Sequence, residues 1–122
     1  MKQFLFEGVS FILGSNSKEN WRILEDAEED DIWVHLHDHP SPYVIIKKRS
    51  TYVETHELNY AGMLCKSHSK LKDVKHVKMT FLKVRYVMKG RRSGEAKLLR
   101  APDVKLIRSH GSIPNSKSVL RA

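Results

Sequence analysis

The stretch His76–Lys89, HVKMTFLKVRYVMK, constrains the fold more than any other part of the chain. Val77, Met79 and Phe81 alternate with Lys78 and Thr80. Val84, Tyr86 and Met88 then alternate with Lys83, Arg85 and Lys89. A period of two sends successive side chains to opposite faces of a strand, which a helix cannot do. The phase slips by one residue near Leu82. A bulge there keeps both apolar triplets on one face, and leaves Lys78, Lys83, Arg85 and Lys89 in a row on the other.

The neighbouring segments extend this to a sheet. KQFLF and VSFIL flank Glu7–Gly8, a spacing that suits a hairpin. GSNSKEN follows as a loop, and WRILEDAEEDD as a strand end or a short acidic turn. In DIWVHLH, Ile32, Val34 and Leu36 point one way and Trp33, His35 and His37 the other. Pro40 and Pro42 interrupt the pattern before a strand through Tyr43–Ile46. Leu58, Ala61, Leu64, Cys65, His68 and Leu71 recur at helical spacing, with Thr55 as the expected cap. Gly62 weakens that helix. GRRSG is a turn, EAKLLR and DVKLIR are the last strands, and residues 109–122 lack any period and are expected to form a mobile tail. The expected architecture is a single α+β domain over residues 1–108, with a curved, mostly antiparallel sheet packed on one main helix.

Charge narrows the function. Residues 1–40 hold three Lys/Arg against nine Asp/Glu, whereas residues 41–122 hold 19 against five. Net charges of −6 and +14 make up the total of +8. Such segregation favours a polyanion partner: nucleic acid first, an anionic surface second. The single cysteine, Cys65, excludes a disulfide framework and a Cys-based zinc site. No apolar run approaches the length of a membrane span, and the N-terminus reads as a strand rather than a signal peptide. The cytoplasm is the expected compartment. The KKR run, Lys47–Arg49, is either a solvated loop or a nuclear-import-like signal.

Gly14, Asn16 and Asn20 form a G-x-N-x-x-x-N pattern, and Asp31, Trp33 and His35 form D-x-W-x-H. Val44, Ile45 and Ile46 follow as an apolar strand; Ala61, Ser69 and Lys70 lie on and beyond the helix. Val77, Val84, Tyr86, Val87, Lys89, Gly90 and Gly94 complete a strand and basic turn. In this order and spacing, over roughly residues 6–107, the sequence resembles the NFACT-R domain. That family is the RNA-binding module of NEMF-type ribosome quality-control factors and of small coiled-coil-domain proteins. Pro42-Tyr43 stands where the family pattern has Ser-His, Ser15 where Arg is usual, and the basic turn is about two residues shorter. The resemblance implies RNA as partner (tRNA, ribosomal RNA or the ribosome), no cofactor and no catalysis. Gly14, Asn16, Asn20, Asp31, Trp33, His35 and Tyr86 take structural roles. The residues expected to contact phosphates are Lys47, Lys48, Arg49, Lys78, Lys83, Arg85, Lys89, Arg91 and Arg92, with little base reading.

Two other functions compete. A basic face of this kind also suits DNA or an anionic surface. His35, His37 and His39 form an H-x-H-x-H run beside Asp31 and Asp38, which offers imidazoles to a metal-dependent nuclease or hydrolase. Pro40 breaks the strand next to His39. The expectation is therefore a partly buried, structural His35 and exposed His37 and His39.

Overall fold

The computed structural model describes residues 1–48 and 52–108. Arg49 and the expected tail, 109–122, lie outside them.

Lys2–Phe6 (β1) and Val9–Leu13 (β2) form the expected hairpin. Its two turn residues, Glu7 at φ 49° and Gly8 at φ 79°, both occupy the left-handed region that a two-residue hairpin turn requires. Ile32–Leu36 (β3), Val44–Lys47 (β4), Lys78–Lys83 (β5) and Asp103–Leu106 (β8) complete a six-stranded sheet in the order β1-β2-β4-β3-β5-β8. Every pairing is antiparallel.

The helix Thr55–Ser67 (α2) covers one face. Leu58, Ala61, Leu64 and Cys65 pack there on Phe11, Leu13, Val34, Val44, Ile46 and Met79, and Phe6 stacks on Tyr60 with ring centroids 4.2 Å apart. Each large apolar side chain removed from water in this layer contributes about 1.5–3 kcal/mol. The cap is Glu54 rather than Thr55. Glu54 and Glu57 exchange side-chain bonds with each other's backbone N–H groups in a capping box.

The other face carries a second helix, over residues where the sequence leads one to expect a loop followed by a strand end or a short acidic turn. Ser17–Asp26 (α1) is capped by Asn16, whose Oδ1 accepts the Glu19 N–H at 2.9 Å. It buries Ile23 and Leu24 on Trp33, Ile45 and Leu82. The sheet is thus sandwiched between helices rather than resting on one.

The expected bulge near Leu82 is absent. Strand β5 ends at Lys83, a 3₁₀ turn spans Val84–Tyr86, and Val87–Lys89 (β6) pairs with Ala96–Leu98 (β7) in a separate two-stranded sheet. The first apolar triplet and the apolar residues after the slip therefore face different layers, and Met88 is exposed. Val77, Met79 and Phe81 join the α2 side, while Leu82, Val84, Val87 and Tyr86 join the α1 side. The phase slip marks a change of layer, and the four cations between the triplets do not form one continuous row.

Asp31 fixes this crossing. It is 2% exposed, and its carboxylate accepts the Glu28 N–H at 2.9 Å, the Lys48 N–H at 3.0 Å and the Lys47 ammonium. Its carbonyl accepts the Val84 N–H at 2.9 Å, beside the Arg85 N–H bond to Glu29 O. Asp31→Asn is expected to cost about 2–3 kcal/mol, because the neutral amide weakens three charge-assisted bonds and leaves Lys47 without its counterion. Gly62 explains its own place in α2. An added Cβ would run into Met79 Sδ and sit 2.9 Å from Ile107 Cγ1. Gly62→Ala gains about 1 kcal/mol of helix propensity but is expected to lose about 1–3 kcal/mol to overpacking. Urea unfolding should show the midpoint lowered for both variants; an unchanged or raised midpoint contradicts the packing account.

Candidate nucleic-acid interface

The cations singled out in the sequence fall into three groups. Lys47 and Lys48 serve buried carboxylates: Lys47 pairs with Asp31, and Lys48 Nζ lies 3.1 Å from Glu57 Oε1, with Glu57 only 4% exposed. Ions removed from water require such partners, so these two lysines are held by the fold. Lys83 and Arg85 both reach Asp30, Lys83 at 3.9 Å, and the hydrogen bond to Asp30 raises the Arg85 pKa further. Lys89 lies 2.6 Å from Glu25 and over the Trp21 ring, 5.3 Å from its centroid. The acidic run has folded back on the basic strand end. Lys78, Arg91 and Arg92 form the third group, exposed and without an ion pair among the described residues.

The turn bearing Arg91 and Arg92 is docked on α1. Trp21 Nε1 donates to Glu95 O at 2.9 Å, the Tyr43 hydroxyl donates to Gly94 O, and Glu95 Oε1 accepts the Arg91 N–H at 2.9 Å. Gly94, at φ 85°, abuts Ser17: a Cβ there would sit 2.8 Å from Ser17 Cβ. The left-handed φ and the close approach both demand glycine. Two arginines are thereby presented beside the first turn of α1. On the other side of that turn lies the loop after α2, which brings exposed Lys70 and Lys72 opposite Asn16 and Ser17. Lys72 was not singled out in the sequence, and Lys70 only as a motif position. Their proximity to α1 becomes visible only once α1 is known to be a helix.

Trp33, His35 and Tyr43 pack against one another on the sheet. Trp33 is 3% exposed, packed edge-on against Tyr43, and stacked on His35 at 5.6 Å with rings 6° apart. Its Nε1–H is buried without an acceptor among the described residues. Tyr86 is half-buried under the Arg100 guanidinium, 4.9 Å from its ring centroid. Asn20 Oδ1 accepts the Tyr43 N–H at 3.0 Å, and Gly14 lets Asn20 pack directly over it. His37 Nε2 lies 3.1 Å from Asp38 Oδ2. Asp38, at φ 58°, turns the chain away, so His39 leaves the face that His35 and His37 share. Among the described residues, only Glu54, His56 and Glu57 bring three ligand atoms within 4.8 Å of one another; the H-x-H-x-H run does not.

Burial lowers the His35 pKa from its ordinary value near 6.5. The folded state favours neutral imidazole, so stability is full above pH 6.5. As pH falls below that value the unfolded chain takes up the proton first, and stability is lost down to the folded-state pKa. The urea midpoint should therefore fall between pH 7.0 and 5.5, and fall less in His35→Asn. An equal fall in both proteins would mean that His35 is not the group responsible.

Comparison with known proteins agrees with the fold and with the family resemblance. Residues 4–99 match the family described as "NFACT protein RNA binding domain". The chain is 31% identical over 83 residues to the Rqc2 homolog RqcH of Bacillus subtilis (strain 168), covering 67% of this chain but 14% of that protein. It also superimposes on the structure of the C-terminal part of the fibronectin/fibrinogen-binding protein from Streptococcus suis. The TM-score is 0.81 at 17% identity, over 97% of this chain and 47% of that one. The match spans strand β1 through the strand pair β6–β7, and the chain belongs to the NFACT protein RNA binding domain family.

Proposed function

We propose that this chain binds structured RNA, tRNA or ribosomal RNA, in a ribosome quality-control role, and acts without catalysis in the cytoplasm. The observation that carries the reading is the family match over residues 4–99. RqcH, named as an Rqc2 homolog, extends it to quality control. Among the described residues no helix is long and apolar enough to cross a membrane.

The distribution of compensated and free charge supports a division of roles within the basic set. Phosphate contacts are made first by cations that need not leave a partner: Arg91, Arg92 and Lys78, joined by Lys70 and Lys72. Lys83, Arg85 and Lys89 act second, exchanging Asp30 and Glu25 for phosphate oxygens at the rim, where exposed pairs hold each other by about 0–1 kcal/mol. Lys47 and Lys48 act through the fold rather than through RNA. Arginines dominate because a planar guanidinium meets two phosphate oxygens at once.

The test is a competition between folded tRNA and duplex DNA of similar charge in one titration at physiological salt. A preference for tRNA of at least about tenfold, roughly 1.4 kcal/mol, is expected. A generic polyanion binder holds both about equally, because counterion release dominates. Replacing Arg91 and Arg92 with Glu should weaken tRNA binding by about tenfold or more and flatten its salt dependence, with circular dichroism unchanged. Reversal of Lys83 and Arg85 should have the smaller effect. Equal affinity for the two nucleic acids, or a preference for DNA, overturns the RNA reading.

A further inference from the structure

The start of α1 and the loop after α2 enclose a cleft of about 780 Å³ that contains no carboxylate. Asn16, Ser17 and Asn20 line one side, Lys70 and Lys72 the other, and His39 its edge. In a chain with nine Asp/Glu in its first 40 residues, that lining is selective. Elsewhere three of them sit against cations: Glu25 on Lys89, Asp30 on Lys83 and Arg85, Asp31 on Lys47. Glu19 lies near the helix start and is already engaged by the Met1 ammonium at 2.6 Å and the Ser15 N–H at 2.8 Å, and Glu95, on the turn beside Ser17, takes the Arg91 N–H at 2.9 Å.

The donors in the cleft are left open in a specific way. Asn16 Oδ1 takes the Glu19 N–H and Asn16 O takes the Asn20 N–H at 2.8 Å. The N–H groups of Ser17 and Lys18 have no acceptor among the described residues, as expected of the first helical turn. Asn20 adds an independent observation. It is only 7% exposed, and its Oδ1 is held inward by the Tyr43 N–H. Its amide N–H₂ has no acceptor among the described residues and is not sealed inside the protein, so it is the part of Asn20 that lines the cleft. The Ser17 N–H, a preset side-chain amide and two free ammonium groups around one cavity are donors without acceptors. An oxyanion satisfies all of them, and the helix dipole favours it. The loop is braced for the purpose: Lys66 Nζ donates to Lys72 O at 2.8 Å and Ser69 Oγ to Lys66 O at 2.8 Å.

We propose that this cleft receives one phosphate group of the bound RNA. Ser17 N–H and Asn20 Nδ2 grip its oxygens, while Lys70 and Lys72 neutralise its charge. The proposal rests on the RNA reading for its ligand and gives that ligand an anchoring point. The phosphate is either an internal phosphodiester or a terminal monophosphate, groups that share the oxyanion chemistry the cleft recognises.

Inorganic phosphate is the first probe, titrated at constant ionic strength against ¹⁵N-labelled protein. Saturable shifts are expected at the Ser17 amide and the Asn20 side-chain N–H₂, and are expected to vanish in Lys70→Glu/Lys72→Glu. That variant keeps a wild-type spectrum elsewhere and binds RNA at least about fivefold more weakly at 0.15 M salt. A second variant, Asn20→Asp, retains the acceptor for Tyr43 and replaces the donor by an anion; it should likewise lose the phosphate shifts. Preference for a 5′-phosphorylated over a 5′-hydroxyl oligomer assigns the cleft to a chain end, and equal binding to an internal phosphodiester. Shifts that localise at Arg91 and Arg92, or that never saturate, overturn the proposal, and RNA binding indifferent to the lysine reversals does the same while leaving the RNA reading intact. Localised phosphate shifts in a protein that binds no RNA instead defeat the RNA reading, and with it RNA as the source of the phosphate.

Discussion

The Asp31 carboxylate is the interaction on which the rest of the arrangement depends. It sits where α1 hands over to β3, where β4 ends, and where β5 leaves the main sheet. Its oxygens gather the Glu28 and Lys48 N–H groups and the Lys47 ammonium, and its own carbonyl holds Val84. A buried charge is tolerated only when its bonds are made. That requirement ties three chain segments, distant in sequence, to one point. Asp31 sets where the 3₁₀ turn at Val84–Tyr86 leaves β5, and the Arg85 N–H bond to Glu29 O with the Trp21–Glu95 and Tyr43–Gly94 bonds then hold the β6–β7 pair over α1.

Most of the sheet was legible from alternation alone. Ile32, Val34 and Leu36 against Trp33 and His35, the Glu7–Gly8 hairpin and the apolar spacing of α2 all follow from local rules that the fold obeys. Helix α1 was missed for a physical reason. It buries only Asn20, Ile23 and Leu24, so its apolar face is too narrow to outvote a W-x-I-L run that mimics a strand. The local signal was present in Asn16-x-x-Glu19, a cap acceptor followed three residues later by a carboxylate. The bulge failed for a different reason. A one-residue phase slip is identical for a bulge and for a change of layer, and the choice is made by Asp31 and Glu29 carbonyls some fifty residues away.

The candidate site was legible as composition and opaque as geometry. Counting cations identified the polyanion partner class, but the row of Lys83, Arg85 and Lys89 assumed that charges in one stretch act together. In the folded chain the acidic segment from Glu25 to Asp31 returns to that stretch and meets it. Lys72, not singled out by any pattern, and Lys70, a motif position, end up facing a helix start in a cleft whose lining holds no carboxylate.

That redistribution bears on how a domain of net charge +8 can be selective. Beyond about 8 Å at physiological salt, individual surface charges are screened, so only cations that cluster without counterions attract a distant polyanion. Pairing the lysines and arginine of β5, the 3₁₀ turn and β6 with Glu25 and Asp30 quenches one side of the molecule. Among the described residues, exposed cations without an ion pair include Arg91 and Arg92 on one turn, Lys70 and Lys72 on the loop after α2, and Lys78. A long-range field of this kind orients an approaching RNA, but it does not distinguish one phosphate from the next. In the proposed cleft the fixed donors of Ser17 and Asn20 would supply that second step, because hydrogen bonds with set directions reward only a phosphate that arrives in register. The acidic run thus contributes to binding by where it removes positive charge.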